Sequence, residues 1–147
     1  MTTISEVMTR EAETLAPKDS IRHAAELMDR LNVGALPICD GSRLTGIVTD
    51  RDIVVRAVAI GLEPATPVED VASGPVEYCF EDDDIDEAER KFASSQIRRL
   101  PVLDREKHLV GMVSIGDVAT SQDGGLSSTL GAVSAPATPD RPGSSHR

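Results

Sequence analysis

Apolar positions recur along the chain in two different rhythms. Ile4 to Met8 is a short apolar stretch, followed by charge. Thr14-Leu15-Ala16 reads as a brief strand closed by Pro17, and Asp19 or Ser20 is placed to cap a helix. Ile21, Ala24, Ala25, Met28 and Leu31 fall at helical spacing, with Arg22, Glu26, Asp29 and Arg30 mostly opposite. Asn32 and Gly34 end that helix. Ala35 to Cys39 reads as a buried strand, which Pro37 restricts to an edge or an interrupted ladder position. Asp40-Gly41 signals a hairpin, with Leu44 to Val48 as the returning strand. A second helix is predicted over Asp50 to Ile60, with Ile53, Val54, Ala57 and Val58 facing inward and Gly61 as its cap.

After a linker containing Gly61, Pro64 and Pro67 the same order begins again. Val68 to Ala72 echoes Ser5 to Met8, and Val76 to Phe80 echoes the first strand. The acidic run Glu81-Asp82-Asp83-Asp84 precedes a helix from about Ile85 to Ser95. Negative charge at a helix start is its first explanation, and a divalent metal the weaker one. Ile97 to Leu103 matches Val33 to Cys39, Leu109 to Val113 matches Leu44 to Val48, and Val118-Ala119 opens a last helix. Pro37 and Pro101 lie 64 residues apart, whereas Gly46 and Gly111, like Asp52 and Asp117, lie 65 apart. One extra residue in the second hairpin, near Lys107-His108, accounts for the step, as loop tips tolerate insertion. The pattern predicts an α/β (α+β) protein of two βαββα halves related by a pseudo-two-fold axis. Their spans are 5–65 and 66–122, with a Gly-, Ser-, Thr- and Pro-rich tail at 123–147 expected to be disordered.

Composition narrows the function. Aromatics are only 2% of 147 residues, so an aliphatic core is expected. The formal net charge of -10 disfavours nucleic acid and anionic membrane surfaces as partners. There is no membrane-spanning apolar run and no signal-peptide pattern, so the expected location is the cytoplasm. Cys39 and Cys79 sit in apolar runs and read as buried small hydrophobes; the sequence leaves a bridge between them open. His23, His108 and His146 show no metal-ligand spacing, and no nucleophile–base pair stands out, so neither a metal site nor an enzyme is expected.

The duplicated feature is a hydroxyl with an aspartate three residues on: Thr49-x-x-Asp52 and Ser114-x-x-Asp117. Taken singly, each is a helix capping box. The Ile115-Gly116 insert supports the second helix start less well than Asp50-Arg51 supports the first. The same geometry also suits a nucleotide. A hydroxyl and free N–H groups can meet phosphate, and an aspartate can accept from the two adjacent hydroxyls of a ribose. Arg98 and Arg99 could neutralise phosphate, or equally be a solvated basic pair on a loop.

Val33-Gly34-Ala35-Leu36-Pro37-Ile38 with Gly46 to Asp52, repeated as Ile97 to Val102 with Gly111 to Asp117, resembles tandem cystathionine-β-synthase (CBS) domains, the Bateman module. The resemblance covers roughly residues 5–122 and extends to small stand-alone two-CBS proteins of actinobacteria. It implies a non-catalytic regulatory module that takes an adenosine-containing ligand (AMP, ADP, ATP, S-adenosylmethionine or a dinucleotide) between its halves. Carried over by position, Asp52 and Asp117 would hold ribose hydroxyls, and Thr49 and Ser114 would contact phosphate or ribose. Gly34, Ala35, Arg98 and Arg99 would line the base and phosphate regions, with Thr14 and Tyr78 on the entering strands. A disc-like homodimer acting on a separate, unidentified protein partner is the implied assembly. The alternative is a stress-associated interaction homodimer in which the boxes are only caps.

Overall fold

The computed structural model describes residues 2–73, 76–95 and 97–121, so the tail lies outside the described residues. They form two compact units, one within residues 13–76 and one joining residues 2–12 to the described residues of 77–121.

In the 13–76 unit, helix α1 (Ile21–Leu31) is followed by the hairpin of β2 (Ala35–Asp40) and β3 (Arg43–Thr49), then α2 (Asp50–Arg56). Ser20 is the cap of α1, its hydroxyl accepting from the His23 N–H. The next two orphan donors find carbonyls in the linker: Ile21 N–H donates to Thr66 at 2.8 Å and Arg22 N–H to Pro64 at 3.2 Å. The linker therefore completes the helix start. Asn32 ends α1 in the left-handed conformation. The buried face is Ile21, Ala24, Leu27 and Met28, while Ala25 and Leu31, expected inside, are exposed. Leu27 lies between the Ala24 and Met28 rows and closes the stripe.

The predicted strand at Thr14–Ala16 reduces to one parallel bridge, Leu15 to Ile38. That bridge explains Pro37. Its carbonyl accepts from Leu15 N–H on the side where a proline has no donor to lose, and Cys39 N–H returns the bond to Leu15. The second predicted helix breaks after Arg56. Ala57 leaves helical geometry (φ -125°, ψ -65°), and Val58–Ile60 continue as a 3-10 turn ended by Gly61 at φ 81°. Ile53 and Ala57 are buried, but Val54 and Val58 face solvent, against expectation, because the winding changes where the inner face would have continued.

The second unit repeats the plan. A four-stranded mixed sheet runs β1 (Thr9–Arg10), β6 (Leu109–Ser114), β5 (Arg99–Leu103), β4 (Cys79–Phe80), with β4 parallel to β5 and the other pairs antiparallel. Helices α3 (Ile85–Ser95) and α4 (Ile115–Ser121) complete it. The strand predicted from Val76 shortens to two residues, and α4 begins three residues before Val118. Corresponding bonds recur 64 residues apart. Ile4 N–H donates to Asp83 and Val68 N–H to Asp19; Ile85 N–H donates to Thr2 and Ile21 N–H to Thr66. Thus the opening stretch, with Ile4 and Met8, enters the core of the later repeat, and Val68 and Val71 enter the core of the earlier one. The core of the 13–76 unit is aliphatic, as composition implied, whereas Phe92 is the largest fully buried side chain of the other.

Both cysteines are free and buried. Burial pushes both thiols up, Cys79 to about 12, so neither is a thiolate at neutral pH. A disulfide reagent at pH 8 is expected to find no fast-reacting thiol in the native protein. In denaturant, without reductant, it should find two. Fewer than two would mean that a bridge had formed.

Candidate functional site

Strand β3 delivers Thr49 to the start of α2. Its hydroxyl accepts from Asp52 N–H at 3.0 Å, and its own N–H donates to Asp52 Oδ2 at 2.9 Å. Strand β6 delivers Ser114 to α4 in the same way: the hydroxyl accepts from Asp117 N–H at 3.0 Å, and Ser114 N–H donates to Asp117 Oδ2 at 2.8 Å. The second box is as fully formed as the first. Ile115 helps rather than weakens it, since its side chain is buried in the core and its N–H donates to the Arg98 carbonyl at 3.0 Å. Asp50 N–H donates to the Gly34 carbonyl at 2.9 Å in the matching place.

The other candidates follow from strand register. Ala35 pairs with Thr49 across β2 and β3, and Arg99 with Ser114 across β5 and β6. Glycine at 34 leaves room for a carboxylate, because a Cβ there would stand 3.1 Å from Asp50 Oδ2. Thr14 is exposed beside the Leu15 bridge. Tyr78 is half-buried, its ring edge-on to Phe80 at 5.5 Å, and its carbonyl accepts from Lys91 Nζ. Thr14, Gly34, Ala35, Thr49 and Asp52 therefore belong to the 13–76 unit, and Tyr78, Arg98, Arg99, Ser114 and Asp117 to the other.

The two aspartates differ in their remaining oxygen. Asp52 is 6% exposed, and its Oδ1 accepts from the Ser73 hydroxyl at 2.6 Å, with Arg56 Nε 3.8 Å away. Such a buried carboxylate is stable because its oxygens are satisfied from within the unit. Asp117 is half-buried. Sequence reasoning missed both Asp52 partners. Arg56 was legible as an i+4 residue on a helix; Ser73, 21 residues away, carried no local signal.

The acidic run has structural work. Asp83 Oδ2 accepts from Phe80 N–H, and Asp84 Oδ1 from Asp86 N–H. Arg105 pairs with Asp82 and Asp83 and lies over the Phe80 ring. Among the described residues, potential metal-ligand atoms gather instead on the β5–β6 hairpin, where those of Asp104, Glu106 and His108 lie within 4.8 Å of one another. There the Asp104 carboxylate already accepts from the Glu106 and His108 N–H groups, which folds the turn and holds its pKa below the usual carboxylate range.

The CBS domain model matches residues 4–58 and 68–124. The chain belongs to the CBS domain family. It is 38% identical over 122 residues to the CBS domain-containing protein YhcV of Bacillus subtilis, covering 83% of this chain and 86% of that protein. It is 36% identical over 121 residues to hypoxic response protein 1 of Mycobacterium tuberculosis, covering 81% and 84%. A crystal structure of hypoxic response protein I with two coordinated zinc ions superposes with a TM-score of 0.75 at 35% identity, covering 83% of this chain and all of that one. The CBS protein PAE2072 of Pyrobaculum aerophilum, complexed with AMP, gives 0.71 at 28% identity, covering 80% and 91%. The CBS pair of MJ0100, holding 5'-methylthioadenosine and S-adenosylmethionine, gives 0.70 at 27%, covering 82% and 95%. CBS modules are regulatory units without catalysis, and this chain is a tandem pair of them. None of its helices, among the described residues, is long and apolar enough to cross a membrane.

Proposed function

We propose that this CBS pair is a cytoplasmic sensor that binds an adenosine-containing ligand through its hydroxyl–aspartate boxes and signals to a separate protein. The observation that carries the reading is the duplicated box. Both copies make the same reciprocal bonds, at 2.8–3.0 Å, in a family whose related structures hold AMP, 5'-methylthioadenosine or S-adenosylmethionine. The candidate contacts are those named from the sequence: Thr14, Gly34, Ala35, Thr49 and Asp52 in one unit, Tyr78, Arg98, Arg99, Ser114 and Asp117 in the other.

Assembly as a homodimer is supported by apolar side chains left outside the cores. Val54, Val55, Val58, Ile60 and Leu62 are exposed, Val58 by 67% and Ile60 by 69%. The same surface favours the second reading, a stress-associated interaction homodimer with no nucleotide. Thermal-shift and calorimetric titration with AMP, ADP, ATP and S-adenosylmethionine separates the two. At a hundred times Kd a ligand adds about 2.7 kcal/mol of stability, so a true ligand raises the melting temperature visibly. If all four leave the melt unchanged at millimolar concentration, the sensor reading fails and the interaction protein stands.

A further inference from the structure

The two boxes share a motif but not a chemical state. In the first, Asp52 Oδ2 is held by the Thr49 N–H, while Oδ1 takes the short bond from the Ser73 hydroxyl and faces the Arg56 guanidinium. A ribose hydroxyl would need to displace Ser73 from a carboxylate that is nearly out of water. The counterparts of these partners by repeat position are Thr9 and Ser121, and neither bonds to Asp117. Thr9 is fixed in β1 opposite Met112, and the Ser121 hydroxyl is given to the Val118 carbonyl. Asp117 Oδ1 therefore has no protein donor among the described residues, while Oδ2 is anchored by Ser114 N–H.

The neighbours across each ladder add to the difference. Ala35 stands opposite Thr49, whereas Arg99 stands opposite Ser114, exposed and with no ion pair among the described residues. Asp50 lies beside Gly34 in the first box, and Arg51 is exposed; Ile115, which corresponds to Asp50, is uncharged and turned into the core. The second box thus has an open carboxylate oxygen, with Arg99 across the ladder as a cation for phosphate, whereas in the first box that oxygen is taken by Ser73.

We propose that Ser73 is an internal plug for the first box, so that each chain takes up one phosphate-bearing adenosine nucleotide, on Asp117. This deepens the sensor reading and rests on it. Isothermal titration of AMP and ATP into the full chain tests it through stoichiometry, with circular dichroism confirming that each variant is folded. The expected values are one equivalent for the natural protein, none for Asp117→Ala, two for Ser73→Ala, and one for the Ser73→Ala, Asp117→Ala double variant. Two equivalents on the natural protein, one retained by Asp117→Ala, or no gain in a folded Ser73→Ala overturns the plug while leaving the sensor reading intact. No heat with any of the four proteins overturns the sensor reading and the plug with it.

Discussion

Replacing Phe92 with alanine is expected to cost about 3–5 kcal/mol, the usual range for deleting a buried aromatic. Phe92 is fully buried in the second half of α3, in the cluster built from Ile4, Met8, Ile85, Leu100, Val102, Val113 and Val118. These side chains come from the opening stretch, both central strands and both helices of the unit, so no single element can move in to fill the gap. The expected loss is a large fraction of what holds a domain of this size together. The chain supplies its own probe. Tyr78 is its only tyrosine and lies in the same unit against Phe80. Urea unfolding followed by tyrosine emission should show the midpoint falling sharply. A cost below about 1 kcal/mol would mean that Phe92 is not the centre of this core.

The repeat explains how much of this was readable in advance. Apolar spacing around Leu36, Val48, Leu100 and Val113 marks the strands, because each hairpin must bury the same face twice. The boxes were equally legible, since a cap is a local contact between residues three apart. What was not legible depends on distance or on shape. The Ser73–Asp52 bond joins residues 21 apart, and nothing in the intervening sequence announces it. Val54 and Val58 read as inward because periodicity records that a side chain is apolar, not which surface will cover it. The break after Arg56 has the same origin: Ala57 is a good helix former, and only its complete burial in this unit shows where the chain must turn.

The two glycines inside the strands that lead to the boxes make the same point, and they give the second large effect. Gly111→Val is expected to destabilise by about 3 kcal/mol, the upper end of overpacking, whereas Gly46→Ala should be neutral or stabilise by about 0.4–1 kcal/mol. By sequence the two are equivalent positions. In space they are not. A Cβ on Gly111 would stand 2.6 Å from the Thr9 carbonyl oxygen and 2.9 Å from Met8 Sδ. A sulfur at the end of a flexible side chain can move, but a strand carbonyl can do so only if β1 leaves β6. That departure breaks the Thr9–Met112 and Arg10–Gly111 pairings and draws Met8 away from the core. At Gly46 the nearest atoms are Ala72 Cβ and Ile38 Cδ1, both at 3.8 Å, an ordinary contact. Chemical denaturation of both variants measures the contrast, and equal costs would overturn it. On the proposed sensor function, because β6 also carries Ser114, the Gly111→Val protein should lose nucleotide heat along with stability. The Gly46→Ala protein should keep both, which places the demand for glycine in the packing of β1 rather than in the motif itself.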